Sequence, residues 1–208
     1  MAAITIHGFP ASSYVRTARM ACVEKGVDYT LDPLRPGETR ERGLHPFGKV
    51  PAMTNGAIKL FETSAITRYV DEHFDGPALQ PDNPEARATM NQWISAINDV
   101  VFDAMVRRCF IRYFFLLGAD GKPDRSIIDP ALEQAREQFA ALDAAYGDND
   151  YLAGGRLSLA DLFLAPIMAV MQQVPEGPAL FEASPNLSRA FTGLSARRSF
   201  LETDPADA

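Results

Sequence analysis

The run "AMTNGAIKLFETSAITRYV", residues 52–70, joins two short apolar stretches across Asn55-Gly56 and then passes directly into a helix-like pattern. Asn-Gly is the strongest short-range hairpin signal, because a type I′ turn needs positive φ at both central positions. Two antiparallel strands are predicted, followed by a helix with Ile66, Tyr69, Val70 and Phe74 along one side that ends near Gly76. A hairpin that feeds a helix needs a partner strand, and upstream residues offer two. "AITI" is a β-like run closed by Gly8 and Pro10, and "VDYTLDPL" is a second. Between them Val15, Ala18 and Cys22 recur at helical spacing, and Gly26 ends the helix. Residues 35–48 carry Pro36, Gly37, Gly43, Pro46 and Gly48, which reads as loop with a short helix around 38–44. The order predicted for residues 1–76 is β-α-β-α-β-β-α.

From "GPALQPDNPEA" onward the pattern changes. Residues 77–84 read as a Pro-rich linker. Everything beyond reads as helix, over 85–117, 127–146, 158–173 and 186–197, giving an all-α domain over 85–208 with "ETDPADA" as a loose tail. Within it, "LSLADLFLAPIMAVM" opens on Ser158-x-x-Asp161, a capping box with Asp in place of Glu. The segment is nearly all apolar, so it is expected at the buried centre of the helical half, kinked at Pro166.

Charge narrows the partners. With 20 basic against 27 acidic residues the net charge is -7, which argues against a nucleic-acid surface. Cys22 and Cys109 stand alone, with no CxxC pair and no Cys/His cluster at metal spacing, so no metal site and no disulfide framework is expected. No apolar run reaches the roughly 18 residues of a membrane span. The start "MAAITIHGFP" has neither a basic leader nor a long apolar core, and the expectation is a cytoplasmic protein.

Three stretches can carry chemistry. "ASSYVRTAR", residues 11–19, places Ser12 and Ser13 where a strand gives way to a helix. A helix start offers free N–H groups and partial positive charge, which suits an anion, and a serine hydroxyl there can donate to it or simply cap the helix. "VP" at 50–51 can hold a cis bond, which would turn the Val50 backbone toward an added peptide strand; an ordinary trans proline at a strand start is the alternative. "ETS" at 62–64 opens a helix, where Thr63 and the first N–H groups can receive a carboxylate and Glu62 an ammonium, or where they form an ordinary cap. A hydrolase is disfavoured: there is no G-x-S-x-G elbow, and His7, His45 and His73 lack a triad context. In "MVRRCFIRYFFLL" the residues Arg107, Phe110, Phe114 and Phe115 offer pocket lining or core.

Taken in order, "FPASS", "HPFGKVPA", "LFETSAITRYV" and "LSLADLFLAP" resemble the cytosolic glutathione transferases over nearly the whole chain, with phi-like motifs and some zeta-like character at residues 12–16. The resemblance implies a thioredoxin-like domain that binds glutathione, a helical domain that shapes the site for a small hydrophobic electrophile, and a homodimer in which Phe47 takes part. It assigns Ser12, with Ser13 as runner-up, to stabilising the glutathione thiolate. Val50 before a cis Pro51 would clamp the cysteinyl unit. Glu62 and Thr63 would hold the γ-glutamyl end, and Lys49, Thr39 and Arg40 fall where the glycyl carboxylate is received. Phe9, Arg107, Phe110 and Phe114 are assigned to the electrophile site. The resemblance leaves open a glutathione-dependent isomerase of the maleylacetoacetate type, a peroxidase, or a non-catalytic binding module. Glutaredoxin-like exchange is disfavoured, since residues 11–14 hold no cysteine.

Overall fold

The computed structural model describes residues 4–35 and 37–207. Ala3 of the first expected strand, Pro36 of the expected loop and Ala208 of the expected tail lie outside the described residues. The chain forms two compact units, one of residues 1–82 with 195–208 and one of residues 83–194.

The first unit is built on β1 (Ile4–His7), α1 (Ser13–Lys25), β2 (Tyr29–Asp32), α2 (Glu38–Glu41), β3 (Ala52–Asn55), β4 (Ile58–Phe61) and α3 (Thr63–His73). The sheet order is β2-β1-β3-β4, with β1 parallel to β2 and the other pairs antiparallel. The element order is the one the sequence pattern predicts, and the arrangement is the thioredoxin-like one that the resemblance implies. Ile4, Ile6 and Met53 form a core with Val15, Ala18 and Cys22 of α1 and Ile66 and Val70 of α3. Because strand side chains alternate, Thr5, His7 and Thr54 line the opposite face. At the end of α1, Gly26 takes φ 73° and Val27 N–H reaches Cys22 C=O at 2.9 Å, the paired closure that a left-handed glycine permits.

Two local details differ from expectation. Asn55 pairs with Ile58, so the loop residues of the hairpin are Gly56 and Ala57. Only Gly56 has positive φ, 58°, which is the pattern of a type II′ turn with glycine at its first central position. Asn55 instead ends β3 and its amide donates to Tyr69 Oη at 3.0 Å. The predicted linker is also tied down: the buried Asp71 carboxylate accepts from Lys25 Nζ at 2.9 Å, Leu79 N–H at 2.8 Å and Gln80 N–H at 3.1 Å.

The chain end packs on α1: α10 (Arg198–Leu201), which the sequence did not predict, precedes the expected loose tail at 202–208, and within that tail residues Pro205–Asp207 form a short 3-10 turn. Arg16, buried and stacked 3.9 Å over the Phe200 ring, donates to Phe200 C=O at 2.8 Å. Arg19 donates to Thr203 C=O at 3.2 Å, and Glu24 accepts from Arg197 at 2.7 Å through each carboxylate oxygen. The tail's polar composition conceals these partners because they lie on a helix near the other end of the chain.

The second unit is helical, in the main as predicted. Asn83 caps α4 (Pro84–Ala96) by accepting from Ala86 N–H at 2.9 Å, and Pro84 opens the helix where its missing N–H is harmless. The helix then widens to π geometry over Ile97–Val101 and Asp103–Phe110 and ends as α5 (Ile111–Phe114). Ile97, Val101, Ala104, Met105, Val106 and Cys109 are the buried residues of the π segments. Then follow α6 (Arg125–Tyr146), α7 (Leu159–Met171), α8 (Gly177–Glu182) and α9 (Pro185–Ser195). α8, which opens on Gly177-Pro178, is not among the helices the sequence predicts. A Cβ on Gly177 would lie 2.1 Å from Met171 C=O, so this glycine permits close packing and proline opens the helix. α7 is buried along nearly all its length and runs through Pro166 as one helix.

Candidate active site

The residues assigned to the peptide end of the site all lie in the first unit, around the ends of β1 and β3 and the starts of α1 and α3. Ser12 is the N-cap of α1, with extended backbone, and its Oγ accepts from Val15 N–H at 3.4 Å. That bond uses an oxygen lone pair and leaves the hydroxyl proton to donate elsewhere. No acidic side chain stands in the first turn, so the partial positive charge of this helix end is uncompensated there. Ser12 is half-buried, whereas Ser13 is buried at 8% exposure. Of the two hydroxyls, the cap residue is the more accessible.

Val50 sits against the same turn. A Cβ placed on Gly8 would come within 3.0 Å of Val50 Cβ and 2.5 Å of Val15 Cγ2, so the β1–α1 turn, the start of α1 and Val50 converge where only glycine fits. The Val50–Pro51 bond is cis. The Val50 N–H and C=O pair with no backbone group among the described residues.

At the start of α3, Glu62 adopts φ 67° and ψ 122°, the one positive φ of a non-glycine residue among those described. Such a conformation costs roughly 1–3 kcal/mol and is found where surrounding structure or function holds it. Glu62 makes no side-chain capping bond, while its C=O accepts from Ala65 and Ile66 N–H, both at 3.0 Å. Its carboxylate is exposed, and Thr63 beside it is buried. The ordinary cap is therefore absent: Glu62, at the N-cap position of α3, gives the helix no side-chain hydrogen bond.

His45, to which the sequence reading gave no role, supports this corner. It is 2% exposed; Nδ1 accepts from Phe47 N–H at 3.1 Å and Nε2 lies 3.8 Å from Glu62 Oε1. Burial lowers its pKa, against the opposing pull of the Glu62 charge. A neutral ring with its proton on Nε2 satisfies both contacts. The His-Pro-Phe-Gly run was a sequence signal for this position, but its contact with Glu62 depends on the folded loop.

The loop of residues 37–49 closes on itself. Gly37 N–H reaches Gly48 C=O at 2.9 Å, and Thr39 Oγ donates to Lys49 C=O at 2.9 Å. Thr39 is fully buried, so its hydroxyl serves the loop and is not presented to a ligand, contrary to the assignment drawn from the resemblance. Arg40 and Lys49 are exposed. Phe47 is 64% exposed at the tip. Of the residues assigned to the electrophile, Phe9 belongs to the first unit and is half-buried. In the second unit, the Phe110 and Phe114 rings meet at 5.1 Å, and Arg107 lies 5.3 Å over Phe102 and 3.9 Å from Asp103.

The family model for the glutathione S-transferase N-terminal domain matches residues 6–78, and that for the C-terminal domain matches residues 104–198. Glutathione S-transferase 4 of Zea mays is 32% identical, with the match covering 94% of this chain and 89% of its own. The chain belongs to the glutathione transferase family. The theta-class glutathione S-transferase of the citrus canker pathogen Xanthomonas axonopodis pv. citri, solved with glutathione bound, is 30% identical with a TM-score of 0.83 over 98% of both chains. Glutathione transferase F7 of Populus trichocarpa superposes with a TM-score of 0.87 over 99% of both chains at 23% identity, a likeness of fold. A transferase of this family takes glutathione as its co-substrate. Among the described residues no helix is long and apolar enough to cross a membrane.

Proposed function

We propose that this glutathione transferase joins the glutathione sulfur to small apolar electrophiles, with Ser12 as the residue that stabilises the thiolate. The observation that carries this reading is the state of the α1 start: Ser12 Oγ takes a hydrogen bond from Val15 N–H, keeps its own proton to donate, and opens a helix with no acidic side chain in its first turn. A free thiol has a pKa of about 8.5, and lowering it by about two units takes roughly 2.7 kcal/mol of selective anion stabilisation. One hydroxyl donor and a helix N-terminus supply a sum of that order. The thiolate then forms the new carbon–sulfur bond and the leaving group departs with its electron pair.

In the same reading Val50 pairs its backbone with the cysteinyl unit, and Thr63 at the start of α3 receives the γ-glutamyl carboxylate. Glu62 receives the ammonium, and Arg40 and Lys49 receive the glycyl carboxylate. Phe9, Phe110, Phe114 and Arg107 face the electrophile, and the working protein is a cytoplasmic homodimer that uses Phe47.

Titrating glutathione while following thiolate absorbance across pH tests the central step. Bound glutathione should ionise below its free pKa in the parent and in Ser13→Ala, and the shift should vanish in Ser12→Ala. Loss of the shift in Ser13→Ala alone would transfer the role to Ser13. Absence of binding would favour a binding module of another kind on this fold. Aromatic conjugation, hydroperoxide reduction and maleylacetone isomerisation, measured side by side, separate the transferase from its two enzymatic alternatives.

A further inference from the structure

The face of the sheet turned away from α1 and α3 carries a chain of polar contacts that the proposed chemistry does not use. His7, at the end of β1, is 8% exposed and bridges its two neighbouring strands. Its Nδ1 lies 2.9 Å from Asp32 Oδ2 on β2, and its Nε2 lies 3.0 Å from Thr54 Oγ1 on β3. An ionised carboxylate only accepts, so Nδ1 donates to it, and Nε2 can accept a hydrogen bond from the Thr54 hydroxyl. The same Asp32 oxygen accepts from Arg42 at 3.1 Å.

Arg42 is the C-cap of α2, and its N–H reaches Glu38 C=O at 3.0 Å. It therefore holds the closed 37–49 loop to the sheet from one side, while His45, against Phe61 at 4.9 Å and Glu62 at 3.8 Å, holds it from the other. Arg40 lies between these anchors on α2 and Lys49 at the loop's closure. Neither side chain is packed in place, so where their charges fall depends on where the loop is held.

We propose that His7 is a positioning residue for the glycyl end of glutathione: it orients Asp32 to receive Arg42, which fixes the loop that presents Arg40 and Lys49. The proposal rests on the reading that those two side chains receive the glycyl carboxylate. It separates His7 from the sulfur chemistry, and that separation can be measured.

Calorimetric titration with glutathione and with γ-glutamylcysteine, which lacks the glycyl unit, tests it. His7→Phe should weaken glutathione roughly five- to tenfold, the scale of one or two lost hydrogen bonds, and leave γ-glutamylcysteine unchanged. KM for glutathione should rise while kcat at saturation holds. His7→Asn, whose amide nitrogen can take the place of Nδ1, should restore most of the loss. Arg42→Met should reproduce it, and the double variant His7→Phe/Arg42→Met should be no weaker than either alone. The Arg42 side chain is 54% exposed, so Arg42→Met supplies the test should His7→Phe not fold. Equal weakening of both ligands, or of neither, overturns the proposal. A parent protein that binds neither ligand overturns the glutathione reading itself, and this proposal with it.

Discussion

Asp161 should be one of the most sensitive single positions for stability in the second unit. It is fully buried at the third residue of α7, and four donors converge on it. Oδ1 accepts from Leu152 N–H at 2.9 Å and Tyr146 Oη at 3.3 Å; Oδ2 accepts from Ser158 N–H and Ser158 Oγ, each at 2.9 Å. Asp161→Asn preserves the shape but turns one oxygen into a donor. Whichever way the amide is placed, its NH2 meets a backbone N–H, from Leu152 or from Ser158, and neither can turn away. The hydroxyls of Tyr146 and Ser158 can rotate, but the backbone cannot. One buried N–H left unpaired, one amide hydrogen left unpaired, and the loss of charge assistance to the rest amount to about 3–5 kcal/mol. For a chain of this length that is a fall in Tm on the order of 10 °C. Ser158→Ala loses the hydroxyl's half of the capping box but leaves the backbone donors to Asp161 in place, and should cost about 1 kcal/mol. Thermal and urea unfolding of both variants measure the contrast. If Asp161→Asn loses less than about 1 kcal/mol, the four-donor argument is wrong.

Other outcomes follow from contacts already described. Burial alone would raise the pKa of Glu24 and Asp71. Instead Arg197 and Ser199 hold Glu24 below its ordinary 4.5, and Leu79 N–H, Lys25 and Gln80 hold Asp71 below its ordinary 3.8. Both depressed carboxylates therefore contribute stability that is complete above those values and lost as pH falls through the folded ones; a urea midpoint that does not move between pH 6 and pH 3 would contradict this. Gly8→Ala should cost about 1–3 kcal/mol, because its Cβ meets Val15 and Val50 and its φ of 151° disfavours side chains; unchanged thermal stability would mean the turn relaxes freely. Burial pushes both thiols up to about 12, so Cys22 and Cys109 should resist a thiol reagent at pH 8 in the native protein and react once it is unfolded. Fast native labelling of either would show an opening that this packing does not allow.

The parts of the fold that the sequence makes legible are those decided within a few residues. Gly26 ends α1 because a left-handed residue is needed there, and Asn83-Pro84 opens α4 with a cap and a fixed φ. Even the hairpin follows from Gly56, although the register moves the turn one residue onward and leaves Asn55 as strand and side-chain donor. The order of the chain end, α10 and the tail after it, is missed for the opposite reason. It comes from Arg16, Arg19 and Glu24, which local composition cannot see.

The same division runs through the site. Ser12 and Glu62 announce themselves because strand-to-helix junctions are local, and a hydroxyl or carboxylate at a helix start has few structural purposes. Whether such a residue is a cap or a ligand group is not local, and the two junctions answer differently: Ser12 caps α1, while α3 begins at a strained Glu62 with no side-chain cap at all. Thr39 looks equivalent to Arg40 in sequence, yet one is sealed inside the loop and the other is exposed, because the closure through Lys49 C=O takes the threonine inward. His7 carries no local signal. Its two ring nitrogens find partners only after three strands have paired in register, and the register that sets Thr54 beside it also brings Asp32 to Arg42. Residues that touch a ligand can thus be legible one by one, while those that hold them in place become visible only with the sheet.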